Sequence, residues 1–285
     1  MSFEADCESS GGQYGGHGTV CSATSCVGAC CFGEFCFQTD LVSCESDGAT
    51  FLGIGLPCNS DCDDDFGMRF DDSAVLLPPA AFNGLSDFTF ECWIKPAATP
   101  AFASDHTVLG CGSTDAIVLK VRRHIGQPNR FLLGFLGSNP VLFGPELSPD
   151  SWYHVAIIRE GSIVSTFVNG IEQAPDSPIT GSAAIQATSV LLGQELDCEL
   201  PDGGCISPSE SFSGSVDDVR VWNIAIGASD LACRRSCQLA GAEPGLVAYW
   251  RLDGGSQVLA DSGPNELDAY CLLYTSPSPR DSIAS

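Results

Sequence analysis

Between Phe88 and Lys95 apolar and polar positions alternate without a break: Phe88, Phe90, Cys92 and Ile94 fall on one side of an extended chain, Thr89, Glu91, Trp93 and Lys95 on the other. This pattern predicts a half-buried strand. Downstream, SWYHVAIIREGSIVSTFVNGIEQ holds apolar runs separated by two tight turns, Glu160-Gly161 and Asn169-Gly170, and the second pair suits a type I′ turn. Two successive hairpins are expected. Further strands are predicted at 67–76, 107–110, 116–122, 130–136, 188–192, 212–222 and 246–252, and one short helix at 229–239, with Ser229 placed to cap it. Short strands at this spacing imply an all-β, two-sheet antiparallel sandwich over residues 66–270.

Composition narrows the class of partner. The formal charge is −24, from 36 acidic residues against 12 basic ones, so nucleic acid and anionic membrane surfaces are poor partners and a divalent cation a natural one. No apolar run is long enough to insert into a membrane, and no leader is visible at the start. Of the 16 cysteines, nine lie in the first 62 positions. That density argues for disulfides and an oxidising, extracellular or cell-surface location. Zinc finds little support there, since His17 is the region's only histidine and no C-x-x-C pair occurs.

The early cysteines repeat. CESSGGQYGGHGTVCSATSC aligns with CESDGATFLGIGLPCNSDC, which divides the region into a truncated repeat, 1–27, and a complete one, 28–65. The complete copy carries Cys30, Cys31, Cys36, Cys44, Cys58 and Cys62, an even set able to pair internally. Its opening GACCFGEFC resembles the GACC-type cysteine repeats of secreted bacterial proteins, which implies that Met1 is internal to a longer, multi-module chain. At the other end CLLYTSPSPRD resembles the conceptual translation of a sequencing adaptor, so 271–285 is set aside from fold reasoning as a non-native tail.

Within 66–270 the segments FTFECWIKP, SWYHVAIIREGSIVSTFVNG, FSGSVDDVRVWN and LVAYWRLDGG, followed by DSGPNELD, resemble in order and spacing the laminin-G-like and concanavalin-like jelly roll. SVLLGQELD followed by SESFSGSVDDVRVWN is similar to the pentraxin type. In an extended chain Glu195 and Asp197 share a face and repel each other, so something should compensate them. The pentraxin likeness implies that this something is calcium, held by the carboxylates of Glu195 and Asp197, the carbonyl of Leu196, Asp115 and Glu210. Calcium takes six to eight oxygens, which acids from several loops can supply. The chain departs from that pattern at Cys198 and Cys205, which bracket LPDGG as a local disulfide would. It departs again at Ala156, where the family has the partner of Cys92; either Cys111 takes that role or Cys92 is a free thiol.

Strict alternation along SVDDVRVW sets Asp217 and Asp218 on opposite faces, unlike the paired acids of a retaining glucanase on the same fold. His154, between Trp152 and Ala156 on one strand face, reads as a core histidine bonded to backbone. Glu91, Trp93, Asp218, Arg220 and Trp222 should share one sheet face, where Trp93 and Trp222 could stack on a sugar or support loops folded over the sheet. The function expected is non-catalytic recognition of a glycan or other cell-surface ligand, with calcium as cofactor and an oligomer open to it. The rivals are a metal-independent structural or adhesion module that binds protein, and a glycoside hydrolase.

Overall fold

The computed structural model describes residues 28–32, 35–39, 43–44, 49–54, 67–71, 73–98, 104–111, 116–123, 129–198, 205–206, 210–235, 239–253 and 257–272. Near its start β1 (Gly28–Phe32), β2 (Phe35–Thr39) and β3 (Thr50–Ile54) form a small antiparallel sheet in the order β2-β1-β3. A disulfide joins Cys30 to Cys44, and both are fully buried. So short a segment cannot build a sufficient apolar core, and the covalent link supplies what burial cannot. Cys31 and Cys36 are register partners whose side chains lie outside the described residues, as do Cys58 and Cys62 altogether.

The main domain begins with β4 (Met68–Phe70), β5 (Ala74–Leu77), β6 (Phe88–Pro96), β7 (Ser104–Cys111), β8 (Ile117–Arg123), β9 (Arg130–Phe135) and β10 (Val141–Phe143). It continues through β11 (Tyr153–Glu160), β12 (Ile163–Val168), β13 (Ile171–Gln173), β14 (Ile179–Thr180), β15 (Val190–Leu192), β16 (Leu196–Cys198) and β17 (Cys205–Ile206). It closes with β18 (Gly214–Trp222), α1 (Ala228–Arg234), β19 (Leu246–Trp250), β20 (Val258–Leu259) and β21 (Ala269–Leu272). Two antiparallel sheets result, and they make a jelly-roll sandwich. One runs β10-β9-β8-β7-β15-β5-β21-β20, the other β13-β12-β11-β6-β18-β19 with β14 on β12 and β4 on β18.

The core lies between them. Phe88, Phe90, Cys92 and Ile94 of β6 meet Leu109 and Cys111 of β7, Ile117 and Leu119 of β8, and Phe131 and Leu133 of β9, all essentially inaccessible. Each large side chain so buried contributes about 1.5–3 kcal/mol. Both expected hairpins are present: Glu160 pairs with Ile163 around Gly161, and Val168 pairs with Ile171 around Asn169 and Gly170, which have φ of 52° and 77°. The outer face of the β6 sheet carries a second cluster, in which Ala156, Ile158, Phe167, Trp222 and Tyr249 pack with Leu231 of α1.

Two expectations change, and one open choice is decided. The strand expected over 67–76 is two strands, β4, which ends at Phe70 in one sheet, and β5, which begins at Ala74 in the other. The helix begins at Ala228 with Gly227 as its N-cap and no side-chain cap, so Ser229 is inside it, and it stops at Arg234. Cys92 and Cys111 are free, buried thiols on facing sheets, which decides between the two readings left open for Cys92. Cys271 and Leu272, set aside with the tail, are hydrogen-bonded members of β21 opposite Val75 and Ala74.

Candidate functional site

On β8 alternation points Ile117, Leu119 and Val121 into the core and Lys120 to the outer face of its sheet. One further device brings acids to that lysine. After β15 the chain turns at Gly193, φ 89°, where an added Cβ would come within 2.3 Å of the Phe70 ring, so only glycine fits. The Gly193 N–H donates to the Val108 carbonyl at 2.8 Å, and the Phe212 N–H donates to the Gly193 carbonyl at 2.8 Å. The departing segment 193–195 is thereby stitched to the returning segment 210–212. Gln194 Nε2 adds a bond to Ser211 Oγ at 3.0 Å, and His106 Nδ1 lies 2.7 Å from the Ser211 carbonyl.

The stitching brings Glu195 and Glu210 together around Lys120. Its ammonium donates to Glu195 Oε2 at 2.5 Å and to Glu210 Oε2 at 2.8 Å. The side chains of Lys120 and Glu195 are 13% and 11% exposed and that of Glu210 30%, so Glu210 is the most open of the three. Burial, and then hydrogen bonding with Glu210, push the Glu195 carboxyl up to about 7 against the pull of Lys120. Glu210 is held below the usual glutamate range, first by its hydrogen bond with Glu195 and also by Lys120. Burial alone would lower Lys120, but the two carboxylates outweigh it and hold the ammonium charged.

Two of the expected calcium ligands are therefore neighbours, and the compensation expected for Glu195 comes from a lysine. Leu196 and Asp197 belong to β16, whose side chains, like the whole of Asp115, lie outside the described residues. Cys198 and Cys205 are register partners across β16 and β17, as a pair closing the loop between them would be; their side chains too lie outside the description. No group of three His, Cys, Asp or Glu residues that could hold a metal occurs among the described residues. Among the described residues, the two carboxylates that come together are bridged by the Lys120 ammonium, whereas calcium takes six to eight oxygens.

Beneath α1, on the outer face of the other sheet, lies a second polar cluster. Glu91, 1% exposed, accepts from Trp222 Nε1 at 2.9 Å and from His154 Nε2 at 2.8 Å. Burial alone would raise Glu91, but the bonds and charges of His154, Arg220 and Trp222 leave it below the usual glutamate range. Burial also lowers His154, so the neutral ring donates its one N–H to Glu91, a carboxylate rather than the backbone partner expected. Trp222 is wholly buried under the Arg234 guanidinium, 5.3 Å away. It cannot stack on a ligand. Trp93 is half-buried, with its indole N–H on the Arg235 carbonyl at 2.8 Å. Both tryptophans support the segment folded over the sheet.

The β18 strand departs from alternation. Asp217 lies opposite Trp93 and Arg220 opposite Glu91, so β18 spends one extra residue there, and Asp218 takes φ of 50°. The bulge sets Asp217 on the same face as Arg220, which corrects the opposed placement of Asp217 and Asp218. Asp218 is fully engaged: Arg220 Nη2 donates to one oxygen at 2.8 Å, and the Tyr249 hydroxyl donates to the other. Lys120 and the bulge were both missed from sequence.

Comparison with known proteins agrees with this architecture. A family model described as the concanavalin A-like lectin/glucanases superfamily matches residues 70–232. No curated protein sequence matches the chain. Among solved structures, a provisionally named carbohydrate binding protein from Bacteroides ovatus ATCC 8483 superposes with a TM-score of 0.54 at 20% identity, over 71% of this chain and 56% of that one. A heptameric SAP-like pentraxin from Limulus polyphemus gives 0.47 at 17% identity, over 65% of this chain and 87% of that one. The enzymatically active domain of tailspike protein 2 from bacteriophage CBA120 gives 0.47 at 18% identity, over 67% and 30%.

Proposed function

Because the chain belongs to the concanavalin A-like lectin/glucanases superfamily, we propose that it is a non-catalytic recognition module for carbohydrate, acting outside the cell. The observation that carries this reading is the polar strip on the outer face of the β8 sheet. Lys120 holds Glu195 and Glu210, and two residues along the strand Arg122 pairs with Asp105 at 3.2 Å. Fixed donors and acceptors, partly open to solvent, are what sugar hydroxyls require. The buried Cys30–Cys44 disulfide supports an oxidising compartment. Among the described residues no helix is long and apolar enough to cross a membrane. Calcium, expected from the pentraxin likeness, is a separate matter from sugar binding because Lys120 already supplies positive charge at that point.

The non-catalytic part rests on occupancy of the acids. A glycosidase needs one free acid and one free carboxylate or base, whereas Glu195 and Glu210 share Lys120 and Asp218 is held by Arg220. One observation favours hydrolysis as a second reading: Glu195 is pushed up to about 7 while its neighbour Glu210 is held low, the split that acid and base roles require. A single assay separates the two. The protein is incubated with a panel of insoluble plant, algal and bacterial polysaccharides, and both retention and release of reducing ends are measured. Retention without release, weakened at least tenfold by Glu210→Gln with Arg122→Ala, is expected. No retention on any member, or retention indifferent to those substitutions, defeats the proposed surface; steady release of reducing ends defeats the non-catalytic reading.

A further inference from the structure

The two-glutamate cluster calls for a cation, and the chain has spent one of its scarcest residues there. Only two lysines occur in 285 residues, Lys95 and Lys120. Lys120 stands between Leu119 and Val121, which are both in the core, so its strand position is rigid and its stem is packed. Its ammonium sits where Glu195 Oε2 and Glu210 Oε2 converge, 2.5 and 2.8 Å away. We propose that Lys120 is the resident cation of this site: its ammonium occupies the place a divalent ion would take, makes the wild-type site indifferent to calcium, and on removal leaves a calcium-binding cluster.

The surroundings carry more than the two carboxylates. Gln194 is 1% exposed and held by its amide nitrogen on Ser211, yet its Oε1 is buried without a hydrogen-bond partner among the described residues. Thr107, the register partner of Lys120, is fully buried and its Oγ1 is likewise without a partner. Two buried neutral oxygens therefore lie on residues next to the cluster, Gln194 beside Glu195 in the chain and Thr107 beside Lys120 in the sheet, while Arg122, the next cation of β8 on that face, is paired with Asp105. A buried oxygen without a donor costs about 1–3 kcal/mol, which a hard cation relieves. With the ammonium in place a calcium ion would meet a positive charge inside its own coordination shell, and like charges at that distance exclude it. With a methionine instead, a side chain of similar length and no charge, the oxygens remain and the repulsion is gone.

This inference is independent of whether the ligand is a sugar, and its test uses calcium chloride alone. Labelling the full chain with lysine carrying nitrogen-15 at the side chain gives two ammonium signals, one for each lysine. Glu195→Gln should move the Lys120 signal and leave that of Lys95, which assigns it. Calcium to about 10 mM, well above the affinities of extracellular calcium modules, should leave the wild-type Lys120 signal in place. Lys120→Met should acquire saturable calcium binding by calorimetry, with a Kd of about 1 mM or tighter, and Lys120→Met with Glu195→Gln should lose it. A saturable calcium-dependent shift of the wild-type Lys120 signal overturns the proposal, because the ion would then share or displace the ammonium's place. Equal silence of a folded Lys120→Met variant overturns it as well, because the ammonium would then not stand in a cation's position. The wild-type spectrum decides the matter even where the variant does not fold.

Discussion

Glu91 and Arg220 face each other as register partners on neighbouring strands, each 1% exposed, with Oε1 and Nη1 3.8 Å apart. Neither charge could be buried there alone. Glu91 also holds the N–H groups of His154 and Trp222. Replacing Glu91 by alanine leaves the His154 and Trp222 donors without an acceptor and removes one of the two carboxylates that balance Arg220, which keeps Asp218, and the expected loss is about 3–5 kcal/mol of unfolding free energy. Urea denaturation followed by tryptophan fluorescence measures it, and a loss under 1 kcal/mol would show the network to be dispensable.

Arg159 is a clamp of a different kind. Fully buried, it donates to the carbonyls of Ser86, Leu85 and Ala183 while its guanidinium lies 5.2 Å from the Phe88 ring and 5.7 Å from that of Phe135. The planar fork reaches three carbonyls at once, which an ammonium cannot do. Arg159→Lys is therefore expected to cost about 2–4 kcal/mol, little better than Arg159→Met. Matched denaturation curves of the two variants test this, and full stability in the lysine form would contradict it.

The part of the stability linked to Glu195 should fall as pH rises from about 5 to about 8, while His154, lowered by burial, acts with the opposite sign until pH passes the ordinary histidine range. Glu195 is raised from 4.5 to about 7, by burial first, so its contribution is complete below 4.5 and disappears as pH climbs through 7. Asp217 and Asp253, also raised by burial, act with the same sign. Glu91 and Glu210 are lowered, so theirs is lost only as pH falls below the ordinary glutamate range, outside this window. Glu195→Gln should flatten the Tm profile between pH 5 and 8, removing a dependence on the order of 1–2 kcal/mol. An unchanged slope would show that Glu195 does not titrate in that range.

The thiols of Cys92 and Cys111 should be inert in the native protein. Both are buried, and burial pushes Cys111 up to about 12 and Cys92 higher still, so almost no thiolate exists at neutral pH. Iodoacetamide labelling read by peptide mass spectrometry should mark neither before denaturation and both after it. A peptide linking Cys92 to Cys111 would contradict the structure.

What the sequence made legible follows from how local its cause is. The alternation of Phe88 to Lys95 and the turns at Gly161 and Gly170 are set by neighbouring residues, and both held. The convergence of Glu195 and Glu210 was legible only through the pentraxin likeness, because it depends on Gly193 tying together two segments separated by a loop. Lys120 was passed over as one polar position in an apolar strand. Its scarcity was the available signal, since one of two lysines in a chain of charge −24 has acids to meet wherever it is held. The β18 bulge had no local signature: Asp217-Asp218 reads as simple alternation until the opposing strand shows the extra residue. The Trp222 ring, offered on sequence grounds as a sugar platform, shares its face with α1, and only packing reveals that the helix covers it.

In the sheet that bears Lys120, β5 lies between β15 and β21, so an early strand of the domain is hydrogen-bonded to the last one among the described residues, with Leu76 opposite Tyr270. During synthesis β5 leaves the ribosome long before either partner exists and must wait as an unpaired, apolar segment. Completion of this sheet is accordingly a late and slow event, governed by closure of a very long loop. Until then the nascent chain carries an open edge that can join another copy of itself, and a chaperone or rapid export is what would keep it single.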